Sequence, residues 1–309
     1  MTALPGRPGG GEPYLVEIAD GVFGYVQPQG GWCVSNAGVI TGGGEVAVID
    51  TLATSARALA LLDRVARLGA GPVRSVINTH FHGDHTFGNQ FFEDATIIGH
   101  RLIRPEMLAA GFGLTMLWPE VEWGELQLTL PTVLFDSTMT LYVGSRRVEL
   151  IHVGPAHTTN DIVVWLPRER VLFAGDVVLS GCTPFNLMGS ISGSLRALRR
   201  LEELRPSTVV CGHGTVCGPE VFGATRDYLR WLQALALAGH QAGLAPLELA
   251  RQTDLGEFAG LLDSERIVGN LHRAYAEIEG AEPGAALDVI AIFGQIIEFN
   301  GGRPPSCAA

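Results

Sequence analysis

His80-Phe81-His82-Gly83-Asp84-His85 packs three imidazoles and a carboxylate into one short run. It follows directly on residues 74–79, an apolar segment that reads as a buried strand. In an extended or turning segment the side chains at i and i+2 point to one side, so His80 and His82 can grip one ion together. Gly83 then turns the chain and directs Asp84 and His85 elsewhere. Groups this close in sequence cannot all wrap a single ion without strain, so the run predicts two metals. Zinc accepts imidazole nitrogen and carboxylate oxygen, with three protein ligands at a catalytic ion and one position open. Zinc is therefore the expected metal.

Two ions need more ligands than the run holds, and later segments offer them. Gly154-Pro155-Ala156-His157-Thr158, Ala174-Gly175-Asp176 and Gly212-His213-Gly214 each follow a strand-like stretch. Glycine beside each candidate lets backbone approach a crowded ion. Taken singly each signal is weak; taken in order, each at a strand terminus, they complete a two-metal set. His100, His152, His240 and His272 fall outside this pattern and read as structural or exposed.

Outward from these anchors the chain alternates strands and helices. Strands are expected at residues 14–18, 22–27, 32–41, 46–50, 74–79 and 96–98, with helices at 53–68 and near 101–110. Residues 111–131, with Trp118 and Trp123, read as a long active-site loop. Strands resume at 138–143, 147–153, 161–166 and 170–174. A helix at 194–204, capped by Ser192 or Ser194 and stopped by Arg205-Pro206, precedes a strand at 207–211. From residue 219 to about 299 the pattern is helical. The class is α/β or mixed α+β.

Composition sets bounds. The chain has 309 residues, 47% apolar and 17% charged, enough to bury a large core. A net charge of −11 argues against nucleic acid as a partner, which would call for a basic surface. All 21 basic residues are Arg, a sign of codon bias in a GC-rich genome. Five Cys without a CxxC pair read as free thiols in a reducing cytosol, so the expected location is cytoplasmic. The Gly- and Pro-rich start, residues 1–13, is expected to be flexible and lacks a secretory apolar region. No apolar stretch is long enough to span a membrane.

The run HFHGDH, together with His157, Asp176 and His213, resembles the metallo-β-lactamase-fold hydrolase superfamily over residues 14–220. The resemblance implies a four-layer αβ/βα sandwich with a dimetal site at one edge between two sheets, followed here by a helical C-terminal extension, residues 221–309, packed on the same domain. Carried over residue by residue, His80, His82 and His157 would hold the first ion. Asp84, His85 and His213 would hold the second, and Asp176 would bridge them. The antibiotic-cleaving members often carry Cys where Asp176 stands and are usually exported, so β-lactamase activity is not expected. Diiron flavoprotein members carry Glu at the position of His82, which again favours zinc. Asp50 resembles the family's carboxylate that orients a ligand imidazole; the alternative is a helix N-cap, and the sequence leaves both open.

Two zinc ions can activate water for attack on an acyl carbon, or polarise a ketone for aldol chemistry with Asp84 taking a proton. Asp84 and Asp176 are the expected catalytic carboxylates, and metal ligation alone does not choose between these reactions. A narrower resemblance enters through GGWCVSNAG (30–38), NTHFHGDHTFGNQ (78–90), VGPAHT (153–158), RVLFAGDVV (170–178) and FNGGRPPSC (299–307). These stretches are similar to the actinobacterial aromatic-polyketide cyclases of type II synthases, enzymes of antibiotic biosynthesis. That resemblance implies second-ring aldol cyclisation of a polyketide held on an acyl carrier protein, with thioester hydrolysis releasing the product. A flat apolar substrate needs an aromatic and aliphatic pocket, for which Phe112, Trp118, Trp123, Phe185 and Met188 are candidates. An acidic carrier needs a basic patch, and Arg196, Arg199 and Arg200 share one helix side. The competing expectations are a general dizinc hydrolase, lactonase or glyoxalase II-like, and a non-catalytic metal sensor. The oligomeric state is not encoded in these signals.

Overall fold

A computed structural model describes residues 11–28 and 30–309, so the expected flexible start falls almost wholly outside them. Seven strands lie side by side in chain order: β1 (Tyr14–Ala19), β2 (Val22–Val26), β3 (Ala37–Gly42), β4 (Glu45–Ile49), β5 (Val73–Ile77), β6 (Thr96–His100) and β7 (Val133–Phe135). A second sheet of five strands has the order β12-β11-β10-β9-β8. These are β8 (Thr138–Val143), β9 (Arg146–His152), β10 (Ile162–Leu166), β11 (Val171–Gly175) and β12 (Thr208–Cys211). The helices are α1 (Ser55–Arg67), the single turn α2 (Gly83–Thr86), α3 (Ile103–Ala110), α4 (Ile191–Leu204), α5 (Glu220–Gln241), α6 (Pro246–Gln252), α7 (Arg266–Ile278) and α8 (Val289–Phe299).

The central strands β4, β10 and β11 are apolar along nearly their whole length because both faces of each sheet are covered there. In β4, Ala47 and Ile49 enter the core between the sheets, while Val46 and Val48 meet Leu61 and Val65 of α1. In β10, Ile162, Val164 and Leu166 face the other sheet, while Val163 and Trp165 face the layer containing α4, α5, α7 and α8. The period-2 alternation thus distributes one strand between two cores. The result is the four-layer sandwich, helix–sheet–sheet–helix, that the family resemblance implies.

Local signals explain most boundaries. Thr54 caps α1, its hydroxyl accepting from Arg57 N at 3.3 Å, an interaction worth about 1 kcal/mol. Helix α4 begins three residues before the expected 194. Its cap is Ser190, accepting from Gly193 N at 2.8 Å, and neither Ser192 nor Ser194 serves. The expected strand at 32–41 forms only from Ala37 onward, because residues before it leave the sheet to reach the other layer. There Asn36 donates to Cys211 O and Gly214 O at 2.9 and 2.8 Å. No helix among the described residues is long and apolar enough to cross a membrane.

Strands β4 and β5 run parallel, as do β11 and β12, so their C-terminal ends collect at one edge of the sandwich. Asp50, the run 80–85, Asp176 and His213 all emerge there.

Candidate metal centre

The edge brings all seven expected ligands together. His80 Nε2 lies 3.1 Å from His82 Nδ1, and His157 Nε2 lies 2.9 Å from the same atom. Asp84 Oδ2 stands 3.2 Å from His213 Nε2 and 3.7 Å from His85 Nε2. Asp176 touches both sets: Oδ2 is 3.5 Å from His157 Nε2 and 3.3 Å from His213 Nε2, and Oδ1 is 3.2 Å from His85 Nε2. Within each of the groups His80–His82–His157, His80–His85–Asp176 and Asp84–His85–His213, the ligand atoms lie within 4.8 Å of one another.

The surrounding hydrogen bonds aim these atoms inward. Thr79 N and Oγ1 donate to the Asp50 carboxylate at 2.8 and 2.7 Å, and His85 Nδ1–H donates to Asp50 Oδ2 at 2.8 Å. The Thr79 hydroxyl has given its one proton to Asp50, so toward His80 Nδ1, 3.1 Å away, it can only accept. His157 Nδ1–H goes to Phe185 O and His213 Nδ1–H to Gly31 O. Four imidazoles thereby turn Nε2 toward the centre, free of a proton in His80 and His157 and available to an ion in His85 and His213 once their proton is displaced. His82 presents Nδ1 instead. Asp50 is the carboxylate that orients imidazoles; the cap of α1 is Thr54.

Backbone chemistry makes room for this crowding. A Cβ on Gly212 would sit 1.8 Å from Asp176 Oδ1, so only glycine fits there. Gly175, at φ +51°, turns β11 sharply enough to present Asp176 beside it.

Electrostatics divide the site. Burial, reinforced by neighbouring imidazoles, lowers His80 and pulls His82 down to about 3. Burial also lowers His157, against the opposing pull of Asp176. Burial would lower His85 and His213 too, but the Asp176 and Asp84 carboxylates outweigh it, raising His85 and lifting His213 to about 9. Burial would raise Asp84 and Asp176, yet the same imidazoles hold both below the usual carboxylate range. One triad is neutral imidazole, the other an anion–cation cluster. His85 Nε2 and Asp176 Oδ1, both turned to the centre, are buried without a well-formed hydrogen bond. Converging lone pairs and unsatisfied buried donors and acceptors are costly unless a cation fills the space between them. The donor set is nitrogen and carboxylate oxygen, which suits zinc.

A cavity of about 740 Å³ opens over this centre. His82, Asp84, His157, Asp176 and His213 form its floor, and the walls are mostly apolar. Phe185 and Met188 line it as expected. Trp118 and Trp123 do not: Trp118 is fully buried in the core and donates Nε1–H to Pro305 O at 2.6 Å, while Trp123 donates to Trp118 O at 3.1 Å. An indole whose N–H is satisfied by backbone is being used as packing. Phe112 also lies outside the lining, partly exposed against Phe87. The walls that sequence reading missed come from α7 and α8 and the loop before α8. They include Arg266, Arg273, Leu287, Val289 and Phe293, with Trp32 from the other end of the chain. Arg266 stacks 4.2 Å over the Trp32 ring, and Trp32 also donates to Glu265 at 2.7 Å. An apolar residue in the helical tail gives no local sign that it faces a distant loop.

Arg196, Arg199 and Arg200 are exposed on one side of α4, and Arg200 Nη1 donates to His152 O at 2.7 Å. All five cysteines are free thiols. His100 and His152, expected to be structural or exposed, stack face to face at 3.8 Å outside the ligand set.

A family model of the metallo-beta-lactamase superfamily matches residues 30–213, and the chain belongs to that superfamily. It is 26% identical over 224 residues to a metallo-beta-lactamase type 2 of Bacteroides fragilis, covering 69% of this chain and 84% of that one. It is 27% identical over 190 residues to a hydroxyacylglutathione hydrolase of Synechococcus sp. (strain JA-3-3Ab), covering 59% and 67%. Among solved structures, the stereoselective inverting sec-alkylsulfatase Pisa1 from Pseudomonas sp. superposes with a TM-score of 0.72 at 19% identity, over 87% of this chain and 50% of that one. The chain spans about half the length of other curated relatives it matches. The protein is a metal-binding enzyme of the hydrolase type.

Proposed function

We propose that the protein is a dizinc polyketide cyclase and thioesterase, which closes the second ring of an aromatic polyketide and releases it from an acyl carrier protein. The observation that carries this reading is the large apolar cavity directly over the ligand cluster. Its outer wall is built by α7 and α8, beyond the 30–213 segment shared across the superfamily. Such a wall suits a flat, apolar acyl substrate and adds nothing to a small polar one.

His80, His82 and His157 would hold one zinc, Asp84, His85 and His213 the other, with Asp176 between them. When bound, the two ions would bring water near neutral pKa and polarise the acyl carbonyl. The chain's own groups supply the rest. Asp84, held ionised beside His213, can take a proton at Oδ2. Trp32, Phe185 and Phe293 pack edge to face and present an aromatic wall that orients a planar substrate and excludes water. Exposed Met116 and Ile290, at the rim, extend the apolar path outward toward a tethered acyl group. Arg196, Arg199 and Arg200 are the proposed carrier-docking residues, and the cytoplasm is the proposed location.

The test is conversion of a carrier-bound or thioester-mimic polyketide by the zinc-loaded protein into a cyclised, released aromatic. Rapid turnover of simple lactones or glutathione thioesters, with no action on polyketide thioesters, would sink the cyclase reading. It would favour a second one, a general thioester hydrolase, which the hydroxyacylglutathione hydrolase relative supports.

A further inference from the structure

Two arginines project from α7 into the cavity wall, seven residues apart and hence on one helix face, about 10 Å along the axis from one another. Arg266 is compensated as a charge: it pairs with Asp263 at 2.8 Å, donates to Thr183 O at 3.0 Å and stacks on Trp32, leaving only Nε without an acceptor among the described residues. Arg273 differs. It is 1% exposed, and none of the arginine ion pairs among the described residues includes it. Nε and Nη2 donate to Leu187 O at 3.0 and 2.7 Å, Nη2 also to Ala285 O at 2.7 Å, and Nη1 has no acceptor among the described residues. Apart from these neutral carbonyls Arg273 feels the Glu277 carboxylate one turn further along α7, which is itself bonded by Ile191 N and Ser192 N at 2.7 and 3.1 Å. The buried guanidinium thus has no direct anionic partner among the described residues and is only partly compensated. Glu106 lines the same cavity, but its Oε1 accepts from Thr159 Oγ1 at 2.6 Å.

The N-terminal end of α7 lies at the metal centre, since His213 Nδ1–H donates to Gly31 O and Asp263 sits beside Gly31. Arg273 is two turns further on, bonded to Leu187 O and Ala285 O in the loops 184–190 and 284–287 that line the cavity. We infer that Arg273 anchors an anionic oxygen of the substrate, so that the cavity selects an apolar acyl compound carrying a carboxylate or enolate remote from the bond broken at the metals. This deepens the thioesterase reading and rests on it for the turnover assay alone.

The test uses the full-length zinc-loaded protein and two matched naphthoyl thioesters, one with a carboxylate on the far ring and one with that carboxylate as its methyl ester. The expected result is a kcat/KM ratio favouring the anion by about tenfold or more, carried mainly by KM, as charge-assisted hydrogen bonds to arginine provide. Arg273→Gln should collapse that ratio toward one, and Arg273→Lys should restore part of it. Equal turnover of the two thioesters by the unsubstituted protein would overturn the proposal, as would a fall of both by the same factor in Arg273→Gln, the mark of a mere loop clamp. Should the variants fail to fold, calorimetry on the zinc-free protein decides with naphthalene diacid monoamide against the diamide. Tighter binding of the anion supports the anchor, and equal binding refutes it. If neither thioester is turned over but the zinc-free protein still prefers the anion, the thioesterase reading fails and the anchor stands.

Discussion

Asp50 and His85 are joined by a 2.8 Å hydrogen bond from the imidazole Nδ1 to the carboxylate, and Thr79 ties the same carboxylate to His80. One buried acid thus orients an imidazole of each metal group. Asp50→Ala should weaken zinc binding by about 10–100-fold, because the rings lose the partner that fixes their tautomer. Competition against a chelator of known affinity measures this directly, and unchanged affinity would refute the orienting role.

The two ion sites should load with different pH dependence. In the metal-free chain His213 keeps its proton up to about 9, so an ion entering beside it must displace that proton. Its affinity should rise about tenfold per pH unit for each proton released as pH climbs from about 6.5 toward that value, then level off. His82, pulled down to about 3, is already neutral, so affinity at its site should stay flat over the same range. Zinc titrations at several pH values check this. Equal slopes for both ions would contradict the charge division.

His82→Ala should reduce turnover to background while leaving the far-ultraviolet circular dichroism spectrum intact, since only side-chain ligation is removed. Zinc at about a hundredfold over its dissociation constant should stabilise the unsubstituted protein by about 2.7 kcal/mol per site. The variant should gain less, read as a smaller rise in Tm on adding zinc.

Gly212→Ala tests the crowding at Asp176. The added Cβ would meet Oδ1 at 1.8 Å and Gly175 C at 2.7 Å, so the carboxylate must move. The expected result is a loss of bound zinc by elemental analysis and a matching loss of turnover, in a protein that still folds.

Trp118 and Phe293 separate core from pocket. Trp118→Phe removes the hydrogen bond to Pro305 O and should cost about 1 kcal/mol without altering substrate range. Phe293→Ala should cost about 3–5 kcal/mol and shift preference toward bulkier acyl groups, because that ring is both packed and part of the cavity wall. Chemical denaturation and a substrate series distinguish the two outcomes.

The ligand chemistry was legible in the order of residues alone. Imidazoles and carboxylates following apolar strands are local features, and a strand's direction carries its end residue to the sheet edge whatever the rest of the chain does. HFHGDH, His157, Asp176 and His213 could therefore be read one segment at a time, and the alternating strands gave the layered class. The role of Asp50 emerged from the folded chain, since a carboxylate after a strand serves equally as cap or as partner to an imidazole 35 residues away. Folding also placed Trp118 in the core and Arg273 in the cavity wall. Those outcomes depend on which face of a helix or loop meets a segment far off in the chain, and hydrophobic burial is non-directional. An aromatic residue is stabilised alike by a core and by a pocket, so the choice falls to long-range packing.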